Sequence, residues 1–175
     1  MSVKKEPSGR RSVQIEVEVP GSTQSAVARR SAEAQLRTLI AKFAPAHLRL
    51  IGAMRRWLRK RLPTAHEVVY EYRDFFVISY SPNERGYEGV LGIRASADGV
   101  KLYFNRCREL PDPAKLLQGA GSQCRSIDVD SKSTFARPEV ARLIDEAIAH
   151  NPVPFEPAGR ARADSKNALV PALVR

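Results

Sequence analysis

Cysteine is scarce in this chain: Cys107 and Cys124 are the only two among 175 residues. Two thiols cannot staple a disulfide framework, so a small secreted scaffold is excluded and reduced thiols in a cytoplasmic protein are expected. Neither cysteine has a neighbour at metal-ligand spacing, so both are expected to be buried and inert. Histidine is limited to His47, His66 and His150, and no serine, cysteine or aspartate stands around them as a catalytic triad requires. No apolar run approaches the roughly 18 residues that would span a bilayer. The basic start, MSVKKEPSGRR, has no apolar segment behind it and is not expected to be a secretory signal. Internal repeats are absent.

Acidic residues are nearly missing from one segment. Between Val27 and His66, ten Lys/Arg face Glu33 alone, whereas between Glu67 and His150 eleven Lys/Arg face thirteen acids. The net charge of +10 therefore sits mainly in the first third of the chain. A surface of that sign attracts nucleic acid, acidic lipid or acidic proteins.

Apolar spacing supplies the elements. Residues 1–24 read as an N-terminal tail, within which VQIEVEV alternates as an edge strand would, although a disordered segment fits equally. Ser25 to Phe43 reads as a helix with Leu36, Leu39, Ile40 and Phe43 on one stripe. Pro45 opens a second helix, ended by Pro63, with Leu48, Ile51, Met54, Trp57, Leu58 and Leu62 on its buried side. Runs at Glu67–Tyr72, Phe75–Tyr80, Gly89–Ala95, Val100–Phe104 and Cys124–Val129 are β-branched and aromatic. Arg73-Asp74 is a two-residue link, and Asp98-Gly99 suits a primed turn. Such short links force antiparallel neighbours. Asp112 and Pro113 are expected to open a short helix ending at Gly119, and Pro138 a last helix. The fold class is α+β: two N-terminal helices and a C-terminal helix on a five-stranded, mainly antiparallel sheet, in two layers. One domain is expected over residues 25–150, followed by a disordered, proline-rich tail over 151–175.

Gly119 and Gly121 resemble a phosphate cradle only in spacing. A cradle needs glycines ahead of a helix, where amides and dipole face the anion. Here the order is helix, glycines, strand, so a cap and a turn are expected. Arg125 remains available for an acidic group, with Asp128 or Asp130 as partners. The carboxylate pairs Glu67/Glu71 and Asp128/Asp130 offer weak cation sites or a solvated sheet face. Arg49, Arg55, Arg56, Arg59 and Lys60 on the second helix offer an anion-binding surface, or a face that is solvated or internally paired. The aromatics of the strands, Tyr70, Tyr72, Tyr80, Tyr103 and Phe104, are expected in the core rather than as a stacking platform.

AHEVVYEYRDFFVISYSPNERGYEGVLGI, then GVKLYFNRCRELPDPAKLLQGAGSQCRSIDV, then RPEVARLIDEAIAH, resemble the YdhG-like domain-of-unknown-function family. The resemblance runs from about Ala34 to His150 and is most specific from Leu110 to Arg125. It implies helices packed on an antiparallel sheet, with Glu67, Tyr70, Gly119, Gly121 and Arg125 as family-motif positions for a ligand. It also implies a distant fold relationship to frataxin-like proteins, and so iron as a cargo. Two departures stand against that. The first helix carries only Glu33 where a frataxin-type protein presents an acidic ridge, and Ser122 stands where many members have lysine. The expectation is a non-enzymatic binding or accessory protein with no cofactor. The alternatives are a nucleic-acid or acidic-protein binder and an iron-handling protein using Glu67, Glu71, Asp128 and Asp130.

Overall fold

A computed structural model describes residues 15–17, 25–83 and 88–157. The rest of the expected tails, and the second half of the SPNERG loop, lie outside the described residues.

The chain forms β1 (Ile15–Val17), α1 (Ala26–Phe43), a 3-10 turn (Pro45–His47), α2 (Leu48–Arg61) and β2 (His66–Glu71). Then come β3 (Phe76–Ser81), β4 (Leu91–Ser96), β5 (Gly99–Asn105), β6 (Cys124–Asp128), α3 (Lys132–Phe135) and α4 (Pro138–Ala149). The strands lie in sequence order, each antiparallel to the next. This is the expected α+β meander, with β1 added at one edge.

One face of the sheet carries the core. Phe76, Ile78 and Tyr80 on β3, Ile93 and Ala95 on β4, and Leu102 and Phe104 on β5 are buried. They meet Leu36 and Ile40 of α1, Ile51, Met54 and Leu58 of α2, and Val140, Leu143 and Ile144 of α4. Each such side chain contributes about 1.5–3 kcal/mol by leaving water. Ser25 caps α1 by accepting a hydrogen bond from the Ala28 N–H at 3.2 Å. Arg59, Lys60 and Arg61 occupy the last turn of α2, where the helix dipole favours cations.

Four local expectations change. The 3-10 turn sets Leu48 as the first α-helical residue, and its side chain is exposed rather than buried. The short helix after Asp112 does not form. The Asp112 carboxylate accepts from the Leu116 and Leu117 N–H groups, and Lys115 takes a left-handed φ of 51°, which ends the turn at once. The β4–β5 turn is centred on Ala97-Asp98, because Ser96 pairs with Gly99, whose φ of 141° suits glycine. Cys107 is buried as expected, its thiol donating to the Phe104 carbonyl and accepting from the Arg125 N–H, but Cys124 is exposed. Beyond α4, the Thr64 hydroxyl donates to the Glu156 carbonyl at 2.6 Å and Phe155 packs on the core. Residues 151–157 therefore lie against the domain.

Candidate ligand-binding face of the sheet

Strand alternation sends every second side chain away from the helices. Tyr70 of β2, Val77 and Ser79 of β3, Arg94 of β4, Tyr103 and Asn105 of β5, and Cys124 and Ser126 of β6 line a concavity of about 610 Å³ on that face. Tyr72 and Phe75 at the β2–β3 turn close one side, and Gln118, Gly119 and Arg125 close another.

Three features shape it. Tyr72 stacks on Phe75 with centroids 4.5 Å apart, and the Arg94 guanidinium lies 4.0 Å over the same Phe75 ring. This layered contact holds Arg94 at the rim by cation–π attraction. Arg125 is held differently: its Nε donates to the Gly121 carbonyl at 2.9 Å. The loop that supplies Gly121 is itself tied to β6 by paired backbone bonds between Gln118 and Ser126, at 2.8 and 3.1 Å. Tyr103 forms the floor. Gly92 stands directly opposite it on β4, and a Cβ there would fall 2.6 Å from the Tyr103 ring and hydroxyl and 2.2 Å from the Ile78 carbonyl. Glycine therefore lets the ring lie across the sheet.

The electrostatics point one way. No carboxylate-bearing residue lines the concavity, while two arginines, Arg94 and Arg125, do. Burial pushes the Tyr103 hydroxyl well up, against the nearby Ser79 hydroxyl, and burial with Tyr72 raises Tyr70. Both stay neutral hydrogen-bond donors. The Cys124 thiol is raised by desolvation and by Cys107, partly offset by Arg94, so it stays protonated near neutral pH. The face offers forked cations, hydroxyls and flat aromatic surface, which is a set for holding an anion with a planar apolar part.

Of the five positions expected from the resemblance, Tyr70, Gly119 and Arg125 line this face, and Gly121 supports Arg125. Glu67 faces the helices, where it is 1 % exposed. Arg55 donates to Glu67 through Nε and Nη2 at 2.9 Å each, and to Glu33 at 3.0 and 2.8 Å. Arg59 donates to the same two carboxylates, and the Tyr80 hydroxyl donates to Glu67 at 2.8 Å. The Arg55 hydrogen bonds lower the Glu33 carboxyl from 4.5 to about 2, against the effect of its partial burial. Burial alone would depress the Arg55 guanidinium, but Glu67 and Glu33 prevail and raise it. Of the five cations expected on the anion-binding surface, Arg55 is paired inside the fold and Arg59 is paired with the same carboxylates while still exposed; Arg49, Arg56 and Lys60 are exposed.

The four carboxylates considered for a cation do not converge. Glu71 pairs with Lys42 at 2.5 Å on the helix side, and Asp128 pairs with Lys101, three strands away from β2. Asp130 is exposed beyond β6. Among the described residues, no three His, Cys, Asp or Glu side chains come together as a metal site. No described helix is long and apolar enough to cross a membrane.

Arg94 and Phe75 are lining residues that the sequence reading did not single out, and Tyr103 and Cys124 are ones it assigned to the core. Their signal was alternation: Arg94 sits between buried Ile93 and Ala95, and Tyr103 between buried Leu102 and Phe104. No family model, curated protein or solved structure matches the chain.

Proposed function

We propose that the chain is a binding protein built on a YdhG-like domain, and that the open sheet face takes a small anion with a planar, apolar part. The carrying observation is the pair of separately anchored arginines, Arg94 on Phe75 and Arg125 on Gly121, at a concavity without a carboxylate. The anion would meet both guanidinium groups while its flat part lies against Tyr70 and Tyr103. A charge-assisted hydrogen bond contributes about 1.5–3 kcal/mol, so each arginine carries roughly a tenfold or greater share of affinity.

Calorimetry with 1-naphthyl phosphate against the uncharged 1-naphthol tests this reading. The phosphate is expected to bind and the neutral compound to bind at least tenfold more weakly. Arg94→Gln and Arg125→Gln are each expected to weaken the phosphate tenfold or more. Equal binding of both compounds, or unchanged affinity in both variants, would remove the proposal.

A further inference from the structure

On the opposite side of the molecule, α1 and α2 are joined by the 3-10 turn and are tied together where Glu33, midway along α1, accepts from Arg55 and Arg59 of α2. A groove of about 530 Å³ lies between them, with Leu36, Ile40, Leu48 and Gly52 along it and Arg37 and Arg56 at its sides. At 3.6 residues per turn, Arg49, Arg56 and Lys60 fall within about 40° of one another on the outward side of α2. Arg30 and Arg37 fall within about 20° on α1. All five are exposed, and none has a hydrogen-bond or ion-pair partner for its side chain among the described residues. The one carboxylate in the groove, Glu33, already accepts from two arginines. The pairing of Glu33 with Arg55 and Arg59 therefore neutralises the one carboxylate that lines the groove beside the remaining cations.

We infer that this groove binds the phosphate backbone of nucleic acid, with Arg30 and Arg37 on one side and Arg49, Arg56 and Lys60 on the other. This is a second site, independent of the open sheet face. Three observations favour nucleic acid over other anionic partners. Four of the five cations are arginines, whose forked donors match phosphate oxygens. The row from Arg49 to Lys60 spans about 16 Å of helix, close to five base-pair rises of about 3.4 Å along a duplex axis. The surface also lacks what the competitors need. A helix lying in a lipid surface presents an apolar face, and that of α2 is buried in the core through Ile51, Met54 and Leu58. A protein partner is usually anchored by an aromatic side chain, and Trp57, the one aromatic of α2, is packed on Phe135. The contacts read no base, so the binding is independent of sequence.

The test is fluorescence polarisation of the full chain with a labelled 20-base-pair duplex of mixed sequence. Five phosphate contacts predict a slope of log K against log salt of about −4.5, or a loss of roughly 500-fold between 50 and 200 mM salt. The variant R37Q/R49Q/R56Q is expected to reduce that slope to about −1.8. The control R108Q/K132Q/R142Q removes the same charge from exposed positions that do not line the groove, and is expected to keep a steeper slope. Circular dichroism melting of both variants confirms that they fold. The inference is overturned by absence of binding at 50 mM salt, by equal losses in the two variants, or by tighter binding to phosphatidylglycerol vesicles or polyglutamate than to the duplex.

Discussion

Glu67 shows how much one residue's setting decides. Its carboxylate is out of water and accepts from Arg55, Arg59 and Tyr80. Removing one partner of a buried ion pair costs about 3–5 kcal/mol, because the other charge stays behind in a poor solvent. Glu67→Gln is expected to fall near the lower end of that range in urea unfolding, since Gln keeps an acceptor for Tyr80. Glu71→Gln breaks the more exposed pair with Lys42 and is expected to cost less than about 1 kcal/mol. Equal costs would show that the Glu67 site is wetter than its burial implies. Glu33 gives the cluster its acid sensitivity. Its folded value of about 2 lies below the 4.5 of the free group. Between those two values the unfolded chain binds more protons, so the stability Glu33 adds above pH 4.5 is lost as pH falls toward 2. Urea midpoints measured from pH 6 to pH 2 are expected to drop across that window in the wild type and to flatten in Glu33→Gln.

At the scale of elements, legibility followed periodicity. Helix stripes such as Leu36, Ile40 and Phe43, and the alternation of Ile127 and Val129 against Ser126 and Asp128, placed the helices and strands from sequence alone. Those patterns are local and repeat at 3.6 or 2 residues. The failures fell where a single contact decides. The Asp112 carboxylate takes the amides of Leu116 and Leu117, which no period announces. The open face was missed because aromatic residues on strands were assigned to a core, and the sheet has a core on one side only. The pairing of Arg55 and Arg59 depends on carboxylates 22 and 12 residues from Arg55, and 26 and 8 from Arg59. Such pairing is visible only after α1, α2 and β2 have come together. Gly92 illustrates an element held by one absent side chain. Gly92→Ala drives a methyl into the Ile78 carbonyl and is expected to destabilise by about 3 kcal/mol or more in chemical denaturation. Adding Tyr103→Ala removes the ring but not the carbonyl, so the double variant is not expected to recover wild-type stability.

For the whole molecule, the sheet separates two cationic surfaces of different kind. One pairs guanidinium groups with aromatic rings in a concavity, and the other arrays them along two helices. Sites that share no contacts behave additively. Arg94→Gln/Arg125→Gln is therefore expected to leave the duplex salt slope unchanged, and R37Q/R49Q/R56Q to leave naphthyl phosphate affinity within about twofold. Substantial loss of both activities in either variant would indicate one shared anion surface rather than two.

The carboxylate beneath α2 has a final consequence, for alignment. Sliding the helix one turn, about 5.4 Å, in one direction would bring aliphatic Ile51 to the place of Arg55 and Arg55 to the place of Arg59, leaving Glu67 with one guanidinium where it now has two. Greasy contacts alone forgive such slips, since one branched hydrocarbon replaces another with little loss. A single dehydrated anion does not, and so it works as a key that turns in one lock position: misthreaded dockings of the hairpin are penalised while the chain is still assembling.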